Sequence, residues 1–244
     1  MYDLSVVIPC YNEEKNLEAI VNQIKIIKKS NSDINFEFIL VNDGSTDKTS
    51  TLLFELNKDK NYLFIDLKKN KGYGGSICEG LKKSSGEIIS WTHSDLQCDI
   101  NDIVTVYRKY KRKLLTQKCI VKGKRINRKF VDSFFSNSMA IIASIIFNKK
   151  FNEINAQPKI FSKQLLKNFL NPPSDFSLDL YLLYISKLQL YEIIEHPVEY
   201  KKRIAGVSKG GDSFLGKIKL TLRTLKYIFN LRFNYNDNNY TQSK

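Results

Sequence analysis

Cysteine is scarce in this chain: Cys10, Cys78, Cys98 and Cys119 are the only four, and no two form a CxxC pair. That excludes a disulfide framework and a cysteine-built zinc site, and fits reduced, mostly buried thiols in a cytosolic protein. Apolar runs are short. The longest, residues 139–147, falls well below the roughly 18 residues that a spanning helix needs. No basic segment followed by an apolar core opens the chain, so no signal peptide is expected. Acidic charge is in deficit, with 25 Asp and Glu against 39 Lys and Arg, a net +14. Such an excess suits a polyanionic partner (nucleic acid, anionic lipid or a phosphorylated substrate) or a lysine-rich solvated surface. No nucleic-acid recognition motif, GxGxxG fingerprint, Walker loop or internal repeat is found, so nucleic acid is not an expected partner.

With 42% hydrophobic residues and only five prolines in 244, the chain can build a real core, as one large α/β domain with a modest C-terminal appendage. Residues 4–8 read as a buried strand closed by Pro9. Leu17, Ile20, Val21, Ile24 and Ile27 recur at helical spacing, with Asn12 as a candidate cap. Strands follow at 36–41, 62–67 and 88–91, with helices marked by Leu52, Leu53 and Leu56 and by the stretch from the Lys71–Gly75 turn to Leu81. Beyond residue 115 the expected pieces are a strand at 119–121, a helix at 130–147, an extended piece at 158–161, a helix at 178–188 and a strand at 191–198. A basic amphipathic helix at 213–233 and a polar tail at 234–244 end the chain. The alternation predicts a mostly parallel sheet covered on both faces.

In such sheets ligands bind beyond the carboxyl ends of the strands, and the polar clusters fall at those ends. Pro9, Tyr11 and Glu13 follow the first strand; Asp43 follows the second and suits either a base or ribose contact or an Asx-turn. Gly72, Gly74 and Gly75 permit close backbone approach to a diphosphate at a helix N-terminus, or a plain turn. His93, Asp95 and Gln97 alternate just past the fourth strand, on one side, where three donors could hold a divalent cation against a diphosphate, or form a solvated turn.

In this order, the segments VVIPCYNEEKNL, ILVNDGSTDKT, KNKGYGGSICEGL, SDLQCD, VKGKR, EINAQPKIFSK and EHPVEYKKRIAGVSK resemble family 2 glycosyltransferases, nearest to the polyprenyl- and dolichyl-phosphate sugar synthases. The resemblance spans roughly residues 3 to 210. It implies a GT-A fold over residues 1–212, a nucleotide-binding half at 1–115 joined to an acceptor half at 116–212, with 213–244 as the basic helix and tail. It implies an inverting transfer of a sugar from a nucleoside diphosphate to a polyprenyl phosphate or a cell-surface glycan. Pro9, Tyr11, Glu13, Asp43, Gly72, Gly74 and Asp95 would bind the donor, with Arg203, Ser208 and Lys209 on a flap over the diphosphate.

The resemblance further implies a metal, Mn²⁺ or Mg²⁺, at Asp95 and Gln97. His93 replaces the first acidic position, and imidazole favours the softer ion. Arg125, Arg128 and Lys159 would receive the acceptor, and Glu153 or Asp179 would take its proton. Expected partners are the nucleotide sugar, the lipid-phosphate or glycan acceptor and an anionic membrane surface on the inner face of the cell membrane, with a homo-oligomer left open. Two rival readings remain: a degenerate homologue that binds nucleotide without turnover, motivated by His93, and a nucleotidyltransferase, disfavoured by the acidic, glycine-free PCYNEE turn.

Overall fold

The computed structural model describes residues 2–126, 130–201 and 214–234; within these, the side chains of 130–137, 214–215, 217–221 and 233–234 are left undescribed. Seven strands form one sheet: β1 (Leu4–Cys10), β2 (Phe36–Asp43), β3 (Leu63–Leu67), β4 (Ile88–Trp91), β5 (Cys119–Ile126), β6 (Lys159–Ser162) and β7 (Glu192–Glu199), in the order β3-β2-β1-β4-β6-β5-β7. β1 to β4 are mutually parallel, as are β5 and β7, while β6 runs antiparallel to both of its neighbours. The expected α/β architecture with a mostly parallel sheet is the one observed.

Helices cover both faces. α1 (Leu17–Ser30), α2 (Thr49–Glu55) and α4 (Asn101–Thr116) pack on one, where Leu4, Val6, Ile8 and Cys10 of β1 point. α3 (Gly72–Lys83), α5 (Phe130–Phe147), α6 (Leu178–Leu188) and α7 (Phe214–Asn234) cover the other, where Val7, Ile39 and Trp91 point. A strand buried on both faces has no polar side, which is why β1 reads as an unbroken apolar run. α6 is buried from Leu178 through Ser186, with the charged Asp179 enclosed among its apolar residues. α5 and α7 lie together on that face, with Phe147 against Tyr184 at 4.4 Å and with Ile228 and Leu231 in the same core.

Three local expectations are corrected. Asn12 does not cap α1: it sits at φ 55° and binds Thr46, and α1 starts after Asn16. β5 runs on to Ile126, because all eight of its residues pair with β7. α4 was not anticipated: five Lys and Arg on its exposed side interrupt the stripe of Ile103, Val104, Val106, Tyr107 and Leu114.

Candidate active site

The C-terminal ends of β1, β2 and β4 meet at one edge of the sheet, and their loops are tied to one another. The Asn12 amide donates to Ser45 Oγ at 3.0 Å, the Thr46 amide to Asn12 Oδ1 at 2.8 Å, and the Glu13 amide to Thr49 Oγ1 at 2.8 Å. The segment carrying Pro9, Tyr11 and Glu13 is therefore fixed against the β2–α2 loop. Glu13 also accepts from Asn16 Nδ2 at 2.6 Å. The Asx-turn belongs to Asn42, whose Oδ1 accepts from the Ser45 amide. Asp43 is buried and accepts from the Lys71 amide at 2.7 Å; burial raises its pKa, with that backbone hydrogen bond opposing.

The glycines at the start of α3 meet protein rather than open space. A Cβ on Gly72 would lie 2.5 Å from Ser174 O, and one on Gly74 2.3 Å from Pro173 O, while the Gly75 amide donates to Ser174 O. The glycines are needed for close approach, as the sequence suggests, and what approaches them is the backbone of residues 173–175.

Past β4, Asp95 is buried and its Oδ1 accepts from the Gln97 amide, while Oδ2 lies 4.0 Å from His93 Nδ1. His93 Nε2 lies 3.2 Å from the Tyr73 hydroxyl, and the two rings meet edge to face. Burial lowers the His93 pKa, opposed by Asp95 and Asp179, so the ring is neutral at pH 7. Gln97 departs from expectation: its side chain turns to the Tyr200 hydroxyl (2.9 Å) and Lys201 O (3.4 Å), leaving His93 and Asp95 as the pair.

Beneath this pair lies a charged web with no solvent access. Asp179, in the first turn of α6, accepts from Trp91 Nε1 (3.1 Å), Gln157 Nε2 (3.1 and 3.2 Å) and Tyr73 (3.4 Å), and pairs with Lys159 Nζ at 3.3 Å. Lys159 also donates to Ile154 O and Ala156 O at 2.8 and 2.6 Å. Both charges are 0% exposed, and burial pulls the lysine down to about 8 although Asp179 opposes it. Neither the proton-accepting role expected of Asp179 nor the acceptor contact expected of Lys159 suits groups so enclosed: they brace the 154–157 loop against β4 and α6.

At the end of β5, Arg125 Nε holds Glu153 Oε2 at 2.6 Å, the two side chains being 7% and 13% exposed. The guanidinium lies over the Tyr200 ring at 5.4 Å, and its buried Nη2 has no partner among the described residues. A buried, unsatisfied guanidinium nitrogen is costly and marks a place for an anion. Arg128, Arg203, Ser208 and Lys209 lie outside the described residues. Tyr73, Trp91, Gln157 and Tyr200 are site residues that sequence reasoning missed; Tyr73 stood inside the glycine-rich turn and Gln157 inside the EINAQPK motif, the two signals that pointed to them.

Comparison with known proteins bears on the fold and the family. Glucosyl-3-phosphoglycerate synthase from Mycobacterium tuberculosis, solved with Mn²⁺, UDP and glucosyl-3-phosphoglycerate, superposes with TM-score 0.69 at 17% identity, covering 96% of this chain and 81% of that one. The same enzyme with Mg²⁺ and UDP gives 0.68 at 16% identity, covering 96% and 80%. Poly-beta-1,6-N-acetyl-D-glucosamine synthase of Staphylococcus aureus is 26% identical over 96 residues, and that of Staphylococcus epidermidis 28%. Each alignment covers 39% of this chain and spans only 22% of the synthase's own length. The sequence profile of glycosyl transferase family 2 matches residues 5–170 of the 244, and the chain belongs to that family.

Proposed function

We propose that this chain is an inverting glycosyltransferase that takes a sugar from a nucleoside-diphosphate sugar, with a divalent cation, and places it on an anionic acceptor, polyprenyl phosphate. The observation that carries the reading is Arg125 Nη2, unpartnered among the described residues, on the strand end beside the half-buried His93 and buried Asp95. His93 Nδ1 and Asp95 Oδ2 stand too far apart to hydrogen-bond at 4.0 Å, yet at a spacing that two ligands of one ion take. Among the described residues no group of three or more His, Cys, Asp or Glu surrounds one point. The remaining ligands would then be diphosphate oxygens and water, as Mg²⁺-type sites use. Held by His93 and Asp95, a divalent ion would supply charge neutralisation to the departing diphosphate.

The chain's own residues supply the rest. Arg125 holds the acceptor anion, and Glu153 fixes the guanidinium plane. Asp179 and Lys159 keep the 154–157 loop in place. A phosphate oxygen is already charged, so no carboxylate need remove a proton. The staphylococcal synthases favour a second reading with a glycan acceptor. Glu153, the more accessible carboxylate, would then take the hydroxyl proton after releasing Arg125.

The membrane part of this reading rests on α5 and α7. Ile141 and Ile145 on one, and Leu222 and Phe229 on the other, are 59%, 74%, 61% and 49% exposed. Residues 201–234 carry nine Lys and Arg and one acid, Asp212. Exposed apolar side chains on a helix that also exposes Arg223, Lys226 and Arg232 suit an anionic leaflet, where a lipid-linked acceptor resides. No helix among the described residues is long and apolar enough to cross a membrane.

The decisive experiment measures nucleotide release from UDP-, GDP- and dTDP-sugars with Mn²⁺ or Mg²⁺, using undecaprenyl phosphate or an oligosaccharide as acceptor. Asp95→Asn should lower turnover at least about tenfold, and Arg125→Ala should chiefly raise KM for the phosphate acceptor. Turnover with the oligosaccharide alone would select the glycan reading. No donor binding with either ion would leave a nucleotide-free homologue and end the proposal.

A further inference from the structure

The Tyr73 hydroxyl has one proton and four polar neighbours, one of which, Trp91 Nε1, directs its single hydrogen to Asp179 Oδ1 at 3.1 Å. Its ring is clamped by stacking on Phe176 at 4.6 Å and 12°, so the hydroxyl cannot swing away. Around it stand Gln157 Nε2 at 3.1 Å, His93 Nε2 at 3.2 Å and Asp179 Oδ2 at 3.4 Å. Asp179 is ion-paired with Lys159 and can only accept. The Gln157 group facing it is therefore the amide NH2, which also donates to the Tyr73 oxygen. A phenol offers two lone pairs, and Gln157 takes one. The phenol proton goes to the carboxylate, the stronger acceptor. The second lone pair then faces His93, whose Nε2 must carry the hydrogen.

The opposite arrangement, with Tyr73 donating to His93, would place a hydrogen on Nδ1. The carboxylate oxygen beside it, Asp95 Oδ2, is 4.0 Å away, beyond a hydrogen bond. Asp179 would also lose a donor. With Nε2 protonated, a bare Nδ1 faces a carboxylate oxygen, an arrangement that repels until a cation lies between them.

We infer that Tyr73 is a positioning residue of the cation site: held by Asp179 and Gln157, its hydroxyl fixes His93 as the Nε2–H tautomer and turns the bare Nδ1 beside Asp95 toward a divalent ion, Mn²⁺ ahead of Mg²⁺. This rests on the cation reading proposed above. It explains how a neutral histidine serves beside Asp95 as a cation ligand. A carboxylate needs no tautomer set, whereas an imidazole ligand depends on the partner of its other nitrogen, and nitrogen ligation suits Mn²⁺ better than Mg²⁺.

The chain has two histidines, His93 and His196, so ¹⁵N-histidine NMR of the whole metal-free protein resolves them, with His196→Asn assigning the pair. The expected spectrum shows His93 protonated at Nε2. A His93 protonated at Nδ1 would overturn the inference. Mn²⁺ affinity, read from the free-ion EPR signal with and without UDP, should fall about 10–100-fold in Tyr73→Phe, while Mg²⁺ affinity moves by less than about threefold.

His93→Asp should reverse the ion preference, and in that background Tyr73→Phe should cost less than about twofold. A merely structural tyrosine would cost the same in both backgrounds, which would sink the proposal. Wild-type protein that binds no Mn²⁺ removes the cation reading itself. Wild-type binding retained in Tyr73→Phe removes only the part given to Tyr73.

Discussion

Replacing Lys159 by methionine isolates the charge that holds the floor of the site. The methionine fills most of the same volume, so the loss is electrostatic. Asp179 would remain 0% exposed with its ammonium partner gone and only Trp91, Gln157 and Tyr73 to serve its oxygens. Ile154 O and Ala156 O would lose their donor as well. Removing one member of a buried ion pair costs about 3–5 kcal/mol. For a chain of this size that lowers Tm by about 6–20 °C.

Thermal unfolding at pH 7 tests this. A loss under about 1 kcal/mol would refute the account of the pair.

Other perturbations read other parts of the structure. Gly123→Ala puts a Cβ 1.9 Å from Gln157 O; the backbone must shift, at a cost of about 1–3 kcal/mol in thermal unfolding, and turnover should fall with it because Gln157 supports Asp179. Burial, with Asp99 adding to it, pushes the Asp102 carboxyl up to about 6. Its contribution is thus present below the ordinary carboxylate range and lost as pH rises through 6, so Asp102→Asn should match or exceed wild-type stability at pH 7 and lose that advantage at pH 4. The Leu222→Ser, Phe229→Ser double variant should lower flotation with phosphatidylglycerol vesicles several-fold without altering turnover on a water-soluble acceptor. Unchanged flotation would refute the membrane contact.

The first half of the fold was legible because doubly buried parallel strands read as apolar runs, and because polar residues at their ends stand out against them. The sequence also located the Asp95, Asp43 and Glu153 segments. What it concealed were contacts between distant positions. Tyr73 and Asp179 are 106 residues apart, and Trp91 and Asp179 are 88 apart; alone, each reads as a core aromatic or a surface carboxylate. The resemblance suggested an acceptor contact for Lys159, and no local pattern shows that a carboxylate waits beside it in the core. Gly72 and Gly74 signalled the absence of a side chain correctly, but that signal does not say whether backbone or ligand fills the space.

The reversed direction of β6 has a consequence for variation. Its first residue, Lys159, pairs with Trp91 at the last position of β4 and with Lys122 of β5. Every parallel strand at the site sends its chain outward into a loop that must return through a helix. β6 instead brings chain in, so the 148–158 segment ends at the site with its far end anchored in the sheet. Residues added or lost between α5 and Glu153 would reshape this side of the site and leave the register of β4, β5 and β7 untouched. On the proposed function, acceptor preference would diverge along this one segment while the donor edge of the sheet stays constant.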